Sequence, residues 1–179
     1  MIYIKVEVKF MNRDQALFIL RKYSPMPDEE DLTEGMIDEF ASAIEYFGDN
    51  PDPSYIEAIM MTFSLDDLYG VYDHAVDVLR NFTNEQVIPH LIEAIQNKHE
   101  RRRYWGTEIA KFFPDEKLIS SLSTCINDPN EEIRAYAIFA LNCIGHKSVL
   151  PMLHERLAKE QDEEVFEELK NAISKLEKI

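Results

Sequence analysis

Residues 116–145, EKLISSLSTCINDPNEEIRAYAIFALNCIG, decide the fold. Ile119, Leu122 and Ile126 are spaced three and four apart, so a helix places them on one face. Asn127-Asp128-Pro129-Asn130 ends that helix, because proline has no amide donor and asparagine and aspartate side chains compete for local backbone bonds. A second helix gathers Ile133, Ala137, Ala140, Leu141 and Ile144 on one stripe, and Gly145 follows where a left-handed C-terminal cap is expected. One such hairpin cannot bury its own apolar face. Neighbouring segments must supply the other side of the core.

Sliding the sequence against itself finds copies at a shift of about thirty-one residues. In the second helix the aligned positions are Ala75, Gly106, Ala137 and Leu169; Val78, Ile109, Ala140 and Ala172; Leu79, Ala110, Leu141 and Ile173; and Phe82, Phe113, Ile144 and Leu176. The first helix aligns Ile56, Ile88, Ile119 and Leu150, then Ile59, Leu91, Leu122 and Leu153, then Phe63, Ile95, Ile126 and Leu157, with one-residue slips in the first and last copies. The pattern predicts stacked helical hairpins sharing one core, with small side chains where helices approach closely.

The central copy resembles a HEAT repeat, and the chain is similar to the phycobilisome-lyase-like repeats of that superfamily. The likeness rests on Asp128 in the inter-helix turn, Ile133-Arg134, and Ala137 with Ala140-Leu141, and it covers roughly residues 54–177. It implies an all-α solenoid in which turn aspartates and arginines form a hydrogen-bonded ladder, Asn97 and Arg103 making the rung before Asp128 and Arg134. The family's first-helix proline is matched by Pro89 and Pro151, whereas the central copy has Ser120. In the last copy Phe166 replaces the arginine beside Glu163, Glu164, Glu167 and Glu168, which suits a polar terminal cap.

Upstream, Ala43, Tyr46 and Phe47 fall under Ala75, Val78 and Leu79, so residues 13–50 read as a degenerate first hairpin with helices over 13–23 and 33–47. Residues 1–179 are then one domain of about five hairpins: an extended segment over 1–12, the degenerate hairpin over 13–50, and HEAT-like repeats over 54–179. Residues 2–10 alternate Ile2, Ile4, Val6, Val8 and Phe10 with polar side chains, the period of a half-buried strand. Such a segment can lie over the open end of the first helices, or pair with a partner or a second copy, so a monomer or a weak dimer through this segment is expected. The length of 179 residues with 45% apolar content suits a sizeable core. No run approaches the ~18 to 20 apolar residues of a membrane span, and the start lacks a signal-peptide pattern, so a cytoplasmic address is expected. Cys125 and Cys143 offer neither a disulfide framework nor metal-ligand spacing.

Charge divides the chain. Between Tyr23 and Leu79 stand fifteen carboxylates and no lysine or arginine, while the remainder balances nineteen acidic against nineteen basic residues. A field of this kind repels nucleic acid and anionic membrane and steers basic partners inward, although the plainer reading of a charge run is a solvated face. The one basic cluster, Lys98 and Arg101-Arg102-Arg103 followed by Tyr104-Trp105, has the residue types that touch phosphate and stack on bases. Arg103 aligns with the structural arginine, so nucleic acid is not expected as a partner, nor is membrane. His74, His90, His99, His146 and His154 lack metal spacing, the five glycines form no phosphate loop, and Cys143 and His146 meet at a helix end without an orienting group. The chain is therefore read as a non-enzyme without cofactor or metal.

In solenoids of this kind the second helices line the concave side. His74, Trp105, Tyr136 and Glu168, one position before the buried ladder, and Asp77, Glu108, Phe139 and Asn171, three further on, are expected there. Trp105, Tyr136 and Phe139 are candidate aromatic anchors, the alternative being packing between repeats. Asp66, Asp67, Asp73 and Asp77 are candidate rim charges that capture a basic partner beside His74 and Glu108. In fold, size and charge the chain resembles bacterial immunity proteins, a likeness that implies a non-catalytic protein binding and neutralising a cognate basic toxin effector domain. The alternatives are a scaffold or adaptor for a metabolic enzyme complex and a phycobilisome-lyase-like protein.

Overall fold

The structure, a computed structural model, describes residues 11–65 and 70–179; the alternating segment 2–10 lies outside the described residues. Those residues are all-helical: α1 (Arg13–Lys22), α2 (Glu34–Asp49), α3 (Ile56–Met60), α4 (Val71–Leu79), α5 (Asn84–Ile95), α6 (Glu100–Ala110), α7 (Ile119–Cys125), α8 (Glu131–Ile144), α9 (Leu150–Leu157) and α10 (Glu163–Glu177). Local chemistry sets their ends. Asn12 and Gln15 form a reciprocal capping box on α1, Thr33 caps α2, and the Asn130 side chain accepts the Glu132 and Ile133 amides at the start of α8. Gly145 closes α8 at φ +72°, the left-handed conformation that glycine adopts without a Cβ penalty.

Consecutive helices pack as pairs, α1 on α2, α5 on α6, α7 on α8 and α9 on α10. Alternate helices form two rows: α2 rests on α4, α6 on α8 and α8 on α10, while α1 meets α3, α3 meets α5 and α5 meets α7. The core lies between the rows. Every second-helix ladder position is buried except Ile144, which is half-buried. In the first-helix row Ile119 and Leu150 are only half-buried, and the residues just before them, Leu118 and Val149, are fully enclosed instead. A 3-10 turn precedes each of these helices, Glu116–Leu118 and Lys147–Val149, and carries Leu118 and Val149 into the core, as Pro53–Tyr55 carries Tyr55 ahead of the fully enclosed Ile56. Asp115 and His146 cap these turns by accepting the Lys117 and Ser148 amides, as Asp52 does for Ser54.

The arginine ladder runs forward. Arg103 makes a two-point ion pair with Asp128 of the following turn, at 2.6 and 3.3 Å, and its other nitrogen donates to the Asn97 and Lys98 carbonyls of its own turn. Arg134 likewise caps the Asp128 and Pro129 carbonyls and pairs with Glu160 of the next turn at 3.0 and 3.1 Å. The expected rung between Asn97 and Arg103 is thereby corrected: the contact inside one turn is to backbone carbonyls, and the carboxylate comes from the next turn.

Candidate functional site

Once the ladder is buried, the opposite side chains of the second helices form a candidate docking face with two unlike ends. Along α2, Glu34, Asp38, Glu45 and Asp49 are exposed on one stripe, because Phe40, Ala43, Ile44 and Phe47 take the inward one. Gly48 lets α2 close on α4, since a Cβ there would come within 3.3 Å of the Val78 side chain. A depression between the two helices is lined by Asp38, Ser42, Glu45, Asp49 and His74. Asp73, His74 and Asp77 of α4 are exposed beside it. Among the described carboxylates of the acidic window, ion pairs join Glu39 to Lys22 at 2.6 Å and Asp77 to Arg80 at 2.9 Å. Asp66 and Asp67 lie outside the described residues.

The other end is aromatic and mixed in charge. Tyr136 of α8 meets Tyr104 of α6 edge-on at 5.3 Å, with the two hydroxyls 3.3 Å apart, and burial pushes the Tyr104 phenol above its usual range. Glu108 pairs with Lys111, whose ammonium lies 5.9 Å from the Tyr136 ring and 4.9 Å from Phe112. Arg80 also approaches Phe112, at 4.9 Å. Phe139 is 39% exposed. On α10, burial raises the Glu168 carboxyl above its usual range, and its Oε1 is enclosed without a hydrogen-bond partner among the described residues.

Trp105 does not stand free on this face. Its indole stacks on Phe63 at 4.6 Å, meets Tyr72 edge-on at 5.1 Å, and donates its N–H to the Ser64 carbonyl. Of the two roles open to it in the sequence, packing between neighbouring hairpins is the one the geometry assigns. Its aligned partners differ: His74 is exposed, and Tyr136 is half-buried at the edge of the aromatic end.

The basic cluster is also largely internal. Arg103 belongs to the ladder, and Arg102 is buried against Met61 with Glu93 at 3.6 Å. Sequence reasoning missed Arg102 and Glu160. The repeat register is the signal that finds them, since Arg102 aligns with the buried Ile133 and Val165, and Glu160 with Asp128. Cys143 is exposed, and the nearby His146 imidazole bonds Ser148 as a helix cap. Among the described residues no group of three or more histidine, cysteine, aspartate or glutamate side chains is placed to hold a metal ion, and no helix is long and apolar enough to cross a membrane.

No family model and no curated protein matches the chain.

Proposed function

We propose that the chain is an α-solenoid of about five HEAT-like hairpins that acts as a non-catalytic protein-binding module in the cytoplasm, and that its partner is a basic protein received on the second-helix face. In its most specific form the reading is of an immunity protein that neutralises a cognate basic bacterial toxin. The observation that carries it is the acidic end of that face. Glu34, Asp38, Glu45, Asp49 and Asp73 point to solvent along α2 and α4 without an ion pair among the described residues, and the partly exposed Tyr136 and Phe139 stand at the other end of the face. Rim carboxylates raise association rates with cationic partners, and exposed rings provide anchoring area.

This reading predicts a neighbouring gene for a basic secreted effector, and the test uses that effector as analyte over the immobilised chain. The association rate falls steeply from low to physiological salt, where the screening length is ~8 Å. Replacing Asp38, Glu45, Asp73 and Asp77 by their amides slows association, whereas Phe139→Ala accelerates dissociation. Cells expressing the effector survive only when the parent chain is co-expressed. A binding rate indifferent to salt and to the amide variant reduces the acidic end to a solubility feature.

A further inference from the structure

The joint between α4 and α6 differs from the α6/α8 and α8/α10 joints in three ways. The ladder position filled by Arg103 in α6 and Arg134 in α8 is Tyr72 in α4. The Tyr72 hydroxyl serves the loop it follows, donating within reach of the Thr62 carbonyl and Ser64 Oγ and accepting the Ser64 amide at 2.8 Å. Across the joint, the position of the turn carboxylate is Asn97, whose side chain accepts the His99 amide of its own turn. The Asn97 side chain is thus spent on its own side of the joint.

The second change is in the core. Ile133 and Val165 are enclosed at the aligned positions of α8 and α10, but α6 has Arg102, 8% exposed. Its guanidinium lies 3.6 Å from Glu93, a carboxylate that is itself mostly in solvent, and its Nε has no acceptor. A buried charge paired this loosely adds little to a joint, because desolvation offsets the attraction. The third change is the closure itself. α6 packs along α8 and α8 along α10, whereas here the second-helix side is joined by Trp105 of α6 on Tyr72 of α4 and on Phe63, and by Arg80 beside Phe112, with α3 meeting α5 in the other row. Two-point ion pairs fix both distance and angle, and among the described residues none spans this joint.

We propose that this joint is a hinge, about which the α1–α4 body turns against the α5–α10 body with Trp105 as the latch. The motion changes the angle between the acidic and aromatic ends of the second-helix face. It follows from the joint alone and does not depend on which partner the face receives.

Pulsed electron spin resonance on the full chain tests it. Nitroxides on His74→Cys and Lys98→Cys, with Cys143→Ser, report across the α4/α6 joint; nitroxides on Lys98→Cys and native Cys143 report across the α6/α8 joint. All three sites are exposed, and Cys125 is enclosed. The first distance distribution is expected to be roughly twice as broad as the second, as a hinge beside a rigid joint requires. Trp105→Ala broadens the first further and leaves the second unchanged, and Trp105→Phe, which keeps a ring but loses the N–H donor, falls between. Equal widths in the parent chain overturn the hinge, and this comparison needs no Trp105 variant to fold. A first width unchanged by Trp105→Ala overturns the latch.

Discussion

The α1–α4 and α5–α10 parts of the chain bury the same ladder of small and branched side chains but hold it together differently. In α5–α10, charge is structural: Arg103 with Asp128 and Arg134 with Glu160 bind one turn to the next, and Arg156 holds Glu160 from within its own turn. In α1–α4 the corresponding work falls to rings, with Phe40 edge-on to Tyr72 at 6.1 Å and Phe47 against Tyr55 at 4.4 Å, while the carboxylates look outward. A residue count sees acid in both parts. The structure separates acid that is enclosed and paired from acid that is left in water, and only the second kind is free to meet a partner.

The largest effect should come from breaking what the two parts share. Ala137, fully buried, sits where α8 lies against its neighbours. Ala137→Asp places an unpaired carboxylate there and should lower stability by ~4 kcal/mol or more, since an uncompensated buried charge has no good solution but to protonate. Urea denaturation followed by circular dichroism measures it. A parent-like midpoint would show that the register of the ladder is wrong.

Next in size is the tie that only the second part has. Burial alone would raise the Glu160 carboxyl, but the Asp162 amide, the Arg134 and Arg156 guanidiniums and the Gln161 amide outweigh it and hold the group at about 2, against an ordinary 4.5. A depressed carboxylate contributes its stability in full above the unfolded value and loses it as pH falls. The contribution, roughly 3 kcal/mol, should therefore be present above pH 4.5 and fade between 4.5 and 2. Arg134→Ala removes one guanidinium and leaves the Asp128 and Pro129 carbonyls without their donor, so it should cost about 3 kcal/mol near neutrality and flatten that acid limb. Stability curves at pH 7 and pH 3 for parent and variant decide it; an unchanged acid limb would mean that Glu160 is not the group that titrates.

The ladder was legible because helical periodicity and self-similarity report on burial directly. That is why the second-helix positions, the Asn127-Asp128-Pro129-Asn130 turn and the Gly145 cap were readable from residues alone. The enclosure of Leu118 and Val149 ahead of Ile119 and Leu150 was not, since two adjacent apolar residues leave open which of them turns inward. Arg102 and Glu160 were hidden by their surroundings. One sits in a run of arginines that has the look of a phosphate-contacting cluster and the other near a run of glutamates that reads as solvated, until the register is applied to them. Trp105 was legible as either an anchor or a packing ring, and the sequence could not choose, because the deciding contacts are to Phe63 and Tyr72 in a different hairpin.

A smaller effect should mark the closest helix contact. A Cβ on Gly106 would stand 2.9 Å from the Ile95 amide nitrogen and 3.0 Å from the Ala94 Cβ. Gly106→Ala sets two terms against each other: a helix-propensity gain of about 1 kcal/mol, and an overlap with backbone that typically costs ~1 to 3 kcal/mol. The overlap should win by about 1 kcal/mol, because the obstructing atom is backbone and cannot rotate away. A stabilised variant in urea melts would show that α5 and α6 can separate without penalty.

The smallest effect should have the opposite sign and bears most directly on the acidic end. Glu45 and Asp49 are four apart on the outer stripe of α2, and a like-charge pair at that spacing destabilises a helix by ~0.2 to 0.5 kcal/mol. Glu45→Gln should therefore stabilise the chain by a few tenths of a kcal/mol at low salt. The gain should vanish near 1 M salt, where the screening length is about 3 Å. Glu160→Gln, by contrast, should destabilise at either salt concentration, because its carboxylate is enclosed and paired. A side chain whose removal helps folding is not held in place by folding. If Glu45→Gln instead lowers stability, the stripe belongs to the fold and the case for a charge-guided partner on α2 and α4 loses its main support.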